Sequence, residues 1–227
     1  MRKLYAKYLN IEVTRRCNMA CAHCLRGDAR NEDVKLEYIT TFLENFQSIH
    51  YLGITGGEPS LNPKAMAHIL EVCKKNNIQV SRFDVVTNGT QTSMSDEFIS
   101  VCQGLWDYQE NKDTAEFDHM LELSDDEYHD KTLHPQVIDK LSQYPFFGMR
   151  GCSSYIYLFK EGRCKEGGKI NYQPLYLTTS DYVYGDIYMN VKGQIVSDCN
   201  MSYETQEKQK VCHCRNFRSY INKKLRT

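Results

Sequence analysis

The chain has 227 residues, with 28 Lys and Arg against 29 Asp and Glu and a formal net charge of −1. It therefore carries no single-sign field of the kind that makes a purely electrostatic nucleic-acid or membrane binder. Hydrophobic residues make up 41% and charged residues 25%, the balance of a folded chain with one substantial core rather than a disordered one. No stretch approaches the roughly 18 apolar residues of a membrane span and the first residues lack a signal-peptide centre, so a cytoplasmic protein is expected.

Residues 8–13, Tyr-Leu-Asn-Ile-Glu-Val, read as a buried strand that stops at polar Thr14-Arg15-Arg16. Leu36, Ile39, Leu43 and Phe46 then recur at helical spacing, and residues 51–55 predict a second strand ending in Gly56-Gly57. Asn62-Pro63 supplies a cap and a first-turn proline to a helix carrying Met66, Ile69, Leu70 and Cys73. The unit repeats with a strand at 79–87, Asn88-Gly89 after it, and a helix capped by Ser95 with Phe98, Val101, Cys102 and Leu105 on one face. A fourth strand at 116–123, a helix at 135–144 and two more strands at 145–149 and 155–159 follow. Strands alternating with helices over short connections imply parallel strands with crossover helices, as an open sheet or a barrel, and the loops after the strand C-termini then share one rim.

From about residue 170 the pattern changes to Tyr-rich extended segments, with a hairpin turn at Val191-Lys192-Gly193-Gln194 between strands at 187–191 and 195–197. The expected organisation is a core domain over 1–168 and a small β-rich extension over 169–227. The basic run after Lys208 and the acidic run over 107–130 read as solvated faces, the alternative being a basic tail that grips a phosphate or an acidic partner.

The unusual count is 10 cysteines. In a reducing compartment these point to metal binding, catalysis or burial rather than to disulfides. Cys73 and Cys102 lie on apolar helix faces and read as core. Cys17, Cys21 and Cys24 instead fall in one polar loop with CxxxCxxC spacing. Three thiolates so spaced can hold three corners of a [4Fe–4S] cube and leave one iron open, or hold zinc with His23 as a fourth ligand.

The segment Cys17-Asn18-Met19-Ala20-Cys21-Ala22-His23-Cys24, followed after the next strand by Gly56-Gly57-Glu58-Pro59, resembles the radical S-adenosylmethionine (SAM) enzymes. The resemblance covers roughly residues 8–165 and implies a partial (β/α)6 TIM-like barrel. It also implies that Cys17, Cys21 and Cys24 hold a [4Fe–4S] cluster whose open iron takes the amine and carboxylate of SAM. His23 stands where the family usually has an aromatic residue near adenine, and Gly56, Gly57 and Glu58 match the motif that meets the SAM amino group. Thr87 and Asn88 occupy a strand end that commonly makes polar contacts to SAM, Ser124 a position near its ribose or carboxylate, and Arg163 one that could pair with the carboxylate. Asp126 and His129 are expected on the rim facing the substrate, to position it or move a proton, and Cys152 is a candidate hydrogen-atom donor. The implied reaction is reductive cleavage of SAM to a 5′-deoxyadenosyl radical that abstracts hydrogen, with electrons from a flavodoxin- or ferredoxin-like donor.

Gly193 to Cys199, then Cys212-His213-Cys214, partly resembles the twitch or SPASM extensions of the same superfamily. That implies a possible auxiliary iron–sulfur cluster on Cys199, Cys212 and Cys214, with Cys164 as a further candidate, and a peptide or small-metabolite substrate. Zinc with His213 and no metal at all are the alternatives. A glycyl-radical-enzyme activase is a rival reading, but residues 122–126, Glu-Leu-Ser-Asp-Asp, lack the Asp-Leu-Lys segment typical of that group. A non-catalytic iron–sulfur or zinc protein is another rival, and the joint presence of the GGEP and Thr87-Asn88-Gly89 strand ends argues against it.

Overall fold

Strand β1 (Leu4–Thr14) sits at the centre of the sheet because both of its edges are paired, with β2 (Phe46–Gly56) on one side and a strand from the C-terminal part on the other. Leu9, Ile11 and Val13 are fully buried, whereas the alternate residues Tyr8 and Asn10 lie on the opposite face, as period-two geometry requires. The computed structural model describes residues 3–113, 119–150, 158–171, 175–177 and 181–224. Strands β3 (Gln79–Thr87), β4 (Leu121–Leu123) and β5 (Phe147–Met149) continue outward from β2, every neighbouring pair parallel.

Helix α1 (Leu36–Leu43) ends before Phe46, which starts β2 instead of completing the expected helix. The stop is Asn45, whose side-chain amide donates to the carbonyls of Thr41 and Phe42 at 2.9 Å each. Helix α2 (Pro63–Asn76) has the expected Asn62 cap on Ala65 N, and α3 (Asp96–Tyr108) the Ser95 cap on Phe98 N. Helix α4 covers His134–Leu141. Of the strand expected at 116–123, residues 116–118 lie outside the described part; 121–123 are strand. Residues 155–157 of the expected sixth strand are likewise outside it, and Phe159 makes only an isolated bridge with Gly168.

After β6 (Tyr176–Leu177), strand β7 (Tyr182–Met189) runs parallel to β1 and antiparallel to β6 and to β8 (Gln194–Val196). The hairpin predicted around residues 191–194 is present, with Gly193 at φ +70° and Asn190 Oδ1 accepting from Lys192 N and Gln194 N. Helix α5 (Tyr203–Gln209), strand β9 (Cys212–His213), paired with β8, and helix α6 (Phe217–Lys224) complete the order. The result is an open α/β fold on a mixed sheet that has nine strands among the described residues, ordered β5-β4-β3-β2-β1-β7-β8-β9 with β6 on β7. Among the described residues no helix is long and apolar enough to cross a membrane.

Two clusters tie the C-terminal part to the core. Phe217 of α6 packs on Phe42 and Phe46 with ring centroids 5.1 and 5.8 Å apart. Arg15, fully buried, donates to Glu12 at 2.9 Å and to Gln206 of α5 at 2.8 Å, with its guanidinium over the Tyr203 ring. Glu12 also accepts from Tyr188 Oη and Val191 N. Removing one partner of so buried a pair costs about 3–5 kcal/mol.

Candidate functional site

Because β1 to β4 are parallel, their C-terminal ends meet at one edge of the sheet, and the four loops that follow them line one cavity of about 1080 Å³. Cys17, Cys21, His23 and Cys24 come from the first loop, Gly56 to Pro59 from the second, Thr87 and Asn88 from the third, and Ser124 to His129 from the fourth. Arg163 and Cys199 reach the same cavity from later segments.

The cysteine loop is clamped from both sides. Cys24 O accepts from Arg163 N at 2.9 Å, Arg26 O accepts from Tyr203 N at 3.1 Å, and Arg26 Nη1 donates to Met201 O at 2.6 Å. Gly162, at φ +58°, allows the close approach, since a Cβ there would run into the carbonyls of Leu25 and Cys24. On the other flank, Gly57 N and Glu58 N donate to Thr14 O and Arg16 O at 2.9 Å each, and a Cβ on Gly57 would collide with the Arg16 carbonyl and Cys17. The glycine pair thus seats the end of β2 directly under the start of the loop.

The three thiols are half-buried and face the same cavity. Burial pushes Cys17 up, and burial followed by the neighbouring Cys17 and Cys24 pushes Cys21 up to about 11. A cationic centre beside Cys17 and Cys21 would oppose this and favour their thiolates, which is what a metal cluster supplies. Hydrogen-bond donors to sulfur are already present, with Met19 N 3.5 Å and Asn88 Nδ2 3.8 Å from Cys17 Sγ. The donor set of three thiols beside an open cavity fits a [4Fe–4S] cluster with one iron left for a further ligand.

Glu58 is 1% exposed, and its carboxylate is held by donors from Ser60, Thr87 and Asn88. Ser60 N and Thr87 Oγ1 bind Oε1 at 3.1 and 2.8 Å, and Asn88 N binds Oε2 at 2.8 Å. Burial pushes this carboxyl above its ordinary range while the donors pull the other way. Its clearest work is to staple the second loop to the third, a role that the motif alone did not suggest. Asn88 also donates to Asn18 Oδ1 at 2.8 Å, joining the third loop to the first.

In the fourth loop Asp126 accepts from Tyr128 N at 2.9 Å and lies 2.7 Å from His129 Nδ1 and 3.8 Å from His23 Nε2. Burial alone would raise the Asp126 carboxyl, but the His129 and Tyr128 hydrogen bonds and the nearby imidazoles hold it below its ordinary range. The His23 ring rests on Tyr128 at 4.5 Å, a contact invisible in the sequence spacing, and burial keeps its pKa low. Ser124 is buried, with its backbone N–H on Thr87 O. The Arg163 guanidinium lies 3.6 Å from Asp28, and its Nε is buried with no partner among the described residues. Cys152 lies outside the described residues.

Cys73 and Cys102 are fully buried in the core. Cys212 and Cys214 sit together, but the β8–β9 register sets Cys212 opposite Ile195 and Cys214 N on Gly193 O, running away from Cys199. Cys199 instead lies beside Asp186 and Asp198, and Cys164 is buried with its thiol on Glu166 O. Cys199 and Cys164 thus have different immediate neighbours from Cys212 and Cys214. His213 Nδ1 is 3.6 Å from Cys214 Sγ and accepts from Arg215 N.

The family model of the radical SAM superfamily matches residues 11–138, more than half of the chain. A cofactor-modifying protein of tungsten-containing aldehyde ferredoxin oxidoreductase from Pyrococcus furiosus is 30% identical over 99 residues, covering 41% of this chain and 26% of that protein. The putative peptide biosynthesis protein YydG of Bacillus subtilis is 27% identical over 92 residues, 38% of this chain and 28% of that one. The matched part thus spans about a quarter to a third of these curated relatives. Among solved structures, BtrN with AdoMet and 2-DOIA aligns with a TM-score of 0.55 at 14% identity, covering 96% of this chain and 81% of that chain. The anSMEcpe structure with AdoMet and the Kp18Cys peptide aligns at 0.52 and 15%, covering 98% and 82%; both likenesses are of fold. With its family model, its two motifs in order and the cavity they share, the chain belongs to the radical SAM superfamily, whose members bind a [4Fe–4S] cluster and SAM.

Proposed function

We propose that the protein is an enzyme that uses a [4Fe–4S] cluster on Cys17, Cys21 and Cys24, together with SAM, to abstract hydrogen from a peptide or a small metabolite. The observation that carries this is the convergence of the three thiols and the ends of four parallel strands on one cavity. When bound, the cluster and SAM supply a one-electron reductive cleavage that yields the 5′-deoxyadenosyl radical.

The chain's own contribution is placement. Gly56 and Gly57 bring backbone close to the start of the cysteine loop, and both border the cavity in which the methionyl amine and carboxylate would sit. Arg163, at the cavity wall with its Nε unpartnered among the described residues, suits the carboxylate. His23 on Tyr128 offers a flat platform for adenine, and Ser124 and Asn88 offer polar contacts at the strand ends. Asp126 with His129 forms a hydrogen-bonded pair on the cavity wall that can orient a substrate or carry a proton. Both substrate classes stay in the proposal, because solved proteins of this fold hold AdoMet with 2-DOIA in one case and with a peptide in another. A low-potential flavodoxin- or ferredoxin-like protein is the proposed electron donor.

The test is release of 5′-deoxyadenosine from SAM by the reduced, anaerobically reconstituted protein. Release that disappears on replacing any one of the three loop cysteines supports the reading. A fully clustered, folded protein that releases none overturns it in favour of a non-catalytic iron–sulfur protein.

A further inference from the structure

His23, Asp126 and His129 come from two different loops, yet their ligand atoms all lie within 4.8 Å of one another. Asp126 is the centre of the group, with Oδ1 2.7 Å from His129 Nδ1 and Oδ2 3.8 Å from His23 Nε2. The two imidazoles stand edge to face at 70° with centroids 5.4 Å apart, on either side of the Asp126 carboxylate that both approach. All three side chains line the cavity. The remaining nitrogen of His23, Nδ1, is buried with no partner among the described residues. Tyr128 supports the ring face at 4.5 Å while no hydrogen bond holds Nδ1, so which nitrogen is turned toward Asp126 is not set by a partner on the other side.

From this geometry we propose a second metal site, in which His23, Asp126 and His129 bind one divalent first-row transition ion such as zinc or iron(II). Two imidazoles and one carboxylate on one side of an ion are a donor set suited to these metals, and they leave coordination positions open. Here the open side faces the cavity, so the ion would take an oxygen or nitrogen donor of the substrate, a hydroxyl, carbonyl or carboxylate. Bonds of about 2.0–2.2 Å place neighbouring ligand atoms roughly 3 Å apart. The Asp126–His129 pair already meets this spacing, and His23, 3.8 Å from Asp126, has to close in by less than about 1 Å while sliding on the Tyr128 ring. Asp126 is pre-oriented by Tyr128 N, as a metal-binding carboxylate normally is by its surroundings. The sulfur ligands of the cysteine loop play no part, so this site differs from a zinc centre on Cys17, Cys21 and Cys24. The bland alternative is a hydrogen-bonded His129–Asp126 pair that holds no ion.

The proposal needs the cysteine loop ordered as a cluster loop, and in that respect it rests on the proposed function. The test therefore uses the cluster-loaded protein, freed of loose metal by a chelator and then dialysed anaerobically against zinc. Iron per chain reports on the cluster, zinc per chain on the new site, so failure of one is separable from failure of the other. The expected result is about one zinc per chain beside unchanged iron, with a zinc-edge X-ray absorption spectrum of nitrogen and oxygen neighbours, imidazole scattering and no sulfur. His129→Ala and Asp126→Asn should each weaken zinc at least about tenfold while iron is retained. If His129→Ala loses iron, His129→Gln replaces it, and the wild-type spectrum decides independently. Zinc bound equally well by wild type and variants, a sulfur-containing shell, or no retained zinc would each overturn the site.

Discussion

Glu58→Gln probes the junction on which the cavity's geometry depends. The carboxylate, 1% exposed, accepts from Ser60 N, Thr87 Oγ1 and Asn88 N. Glutamine has nearly the same shape but only one acceptor oxygen. If that oxygen takes the place of Oε1, its NH2 group confronts Asn88 N–H; if it takes the place of Oε2, the NH2 confronts Ser60 N–H. Thr87 can rotate its hydroxyl to accept, but a backbone N–H cannot, so one buried donor is left unpaired in either orientation. An unsatisfied buried N–H costs about 1–3 kcal/mol, and loss of the charge adds to it because hydrogen bonds to ionised groups are the stronger kind. Relief from burying a charge offsets part of this, which leaves a net cost of about 2 kcal/mol. For a chain of this size that corresponds to a fall in Tm of roughly 4–8 °C. The assay is thermal and urea unfolding of cluster-free protein under reducing conditions, where cofactor loss does not contribute. A change below about 0.5 kcal/mol would show that these donors do not depend on an ionised acceptor, and the staple would have to be abandoned.

Removing Cys17, Cys21 and Cys24 together should leave essentially no iron after anaerobic reconstitution, because Cys199 lies apart from Cys212 and Cys214; about four retained irons per chain would place a second cubane on the C-terminal cysteines. Phe217→Ala should cost about 3–5 kcal/mol, since the ring is fully buried between Phe42 and Phe46; a loss below about 1 kcal/mol in urea unfolding would mean that α6 is not docked as described. Glu207 accepts from Lys192 Nζ at 2.7 Å and Gln194 Nε2 at 3.2 Å, and these contacts outweigh its burial and lower its pKa. A depressed carboxyl stabilises the fold above its unfolded pKa and loses that contribution as pH falls through the folded value, so Glu207→Gln should be less stable than wild type at pH 7 and converge with it in acid, once pH has fallen through that lowered folded value. A gap that persists in acid would point to packing rather than charge.

Much of the molecule is legible from local pattern. The strand at 79–87, the caps at Asn62 and Ser95 and the burial of Cys73 and Cys102 follow from periodicity and capping chemistry, which act over a few residues. The CxxxCxxC loop and Gly56-Gly57 are legible for the same reason, since each needs only its own spacing and a strand before it. The apolar spacing of Phe46 suits a helix although the residue starts β2, because the Asn45 side chain that closes α1 acts through hydrogen bonds that spacing does not encode.

What remained hidden depends on residues far apart in the chain. Whether Glu58 meets a ligand or staples loops is decided by Thr87 and Asn88, about thirty positions on, because a buried carboxylate takes whichever donors the fold brings to it. The grouping of His23 with Asp126 and His129, and the separation of Cys199 from Cys212 and Cys214, follow from strand register and loop approach. Sequence by itself determined the superfamily, the alternating α/β pattern and the three loop thiols, since those rest on local spacing. Only the tertiary structure decided which side chains share the cavity, because parallel strand order gathers loop ends that are distant in sequence onto one edge.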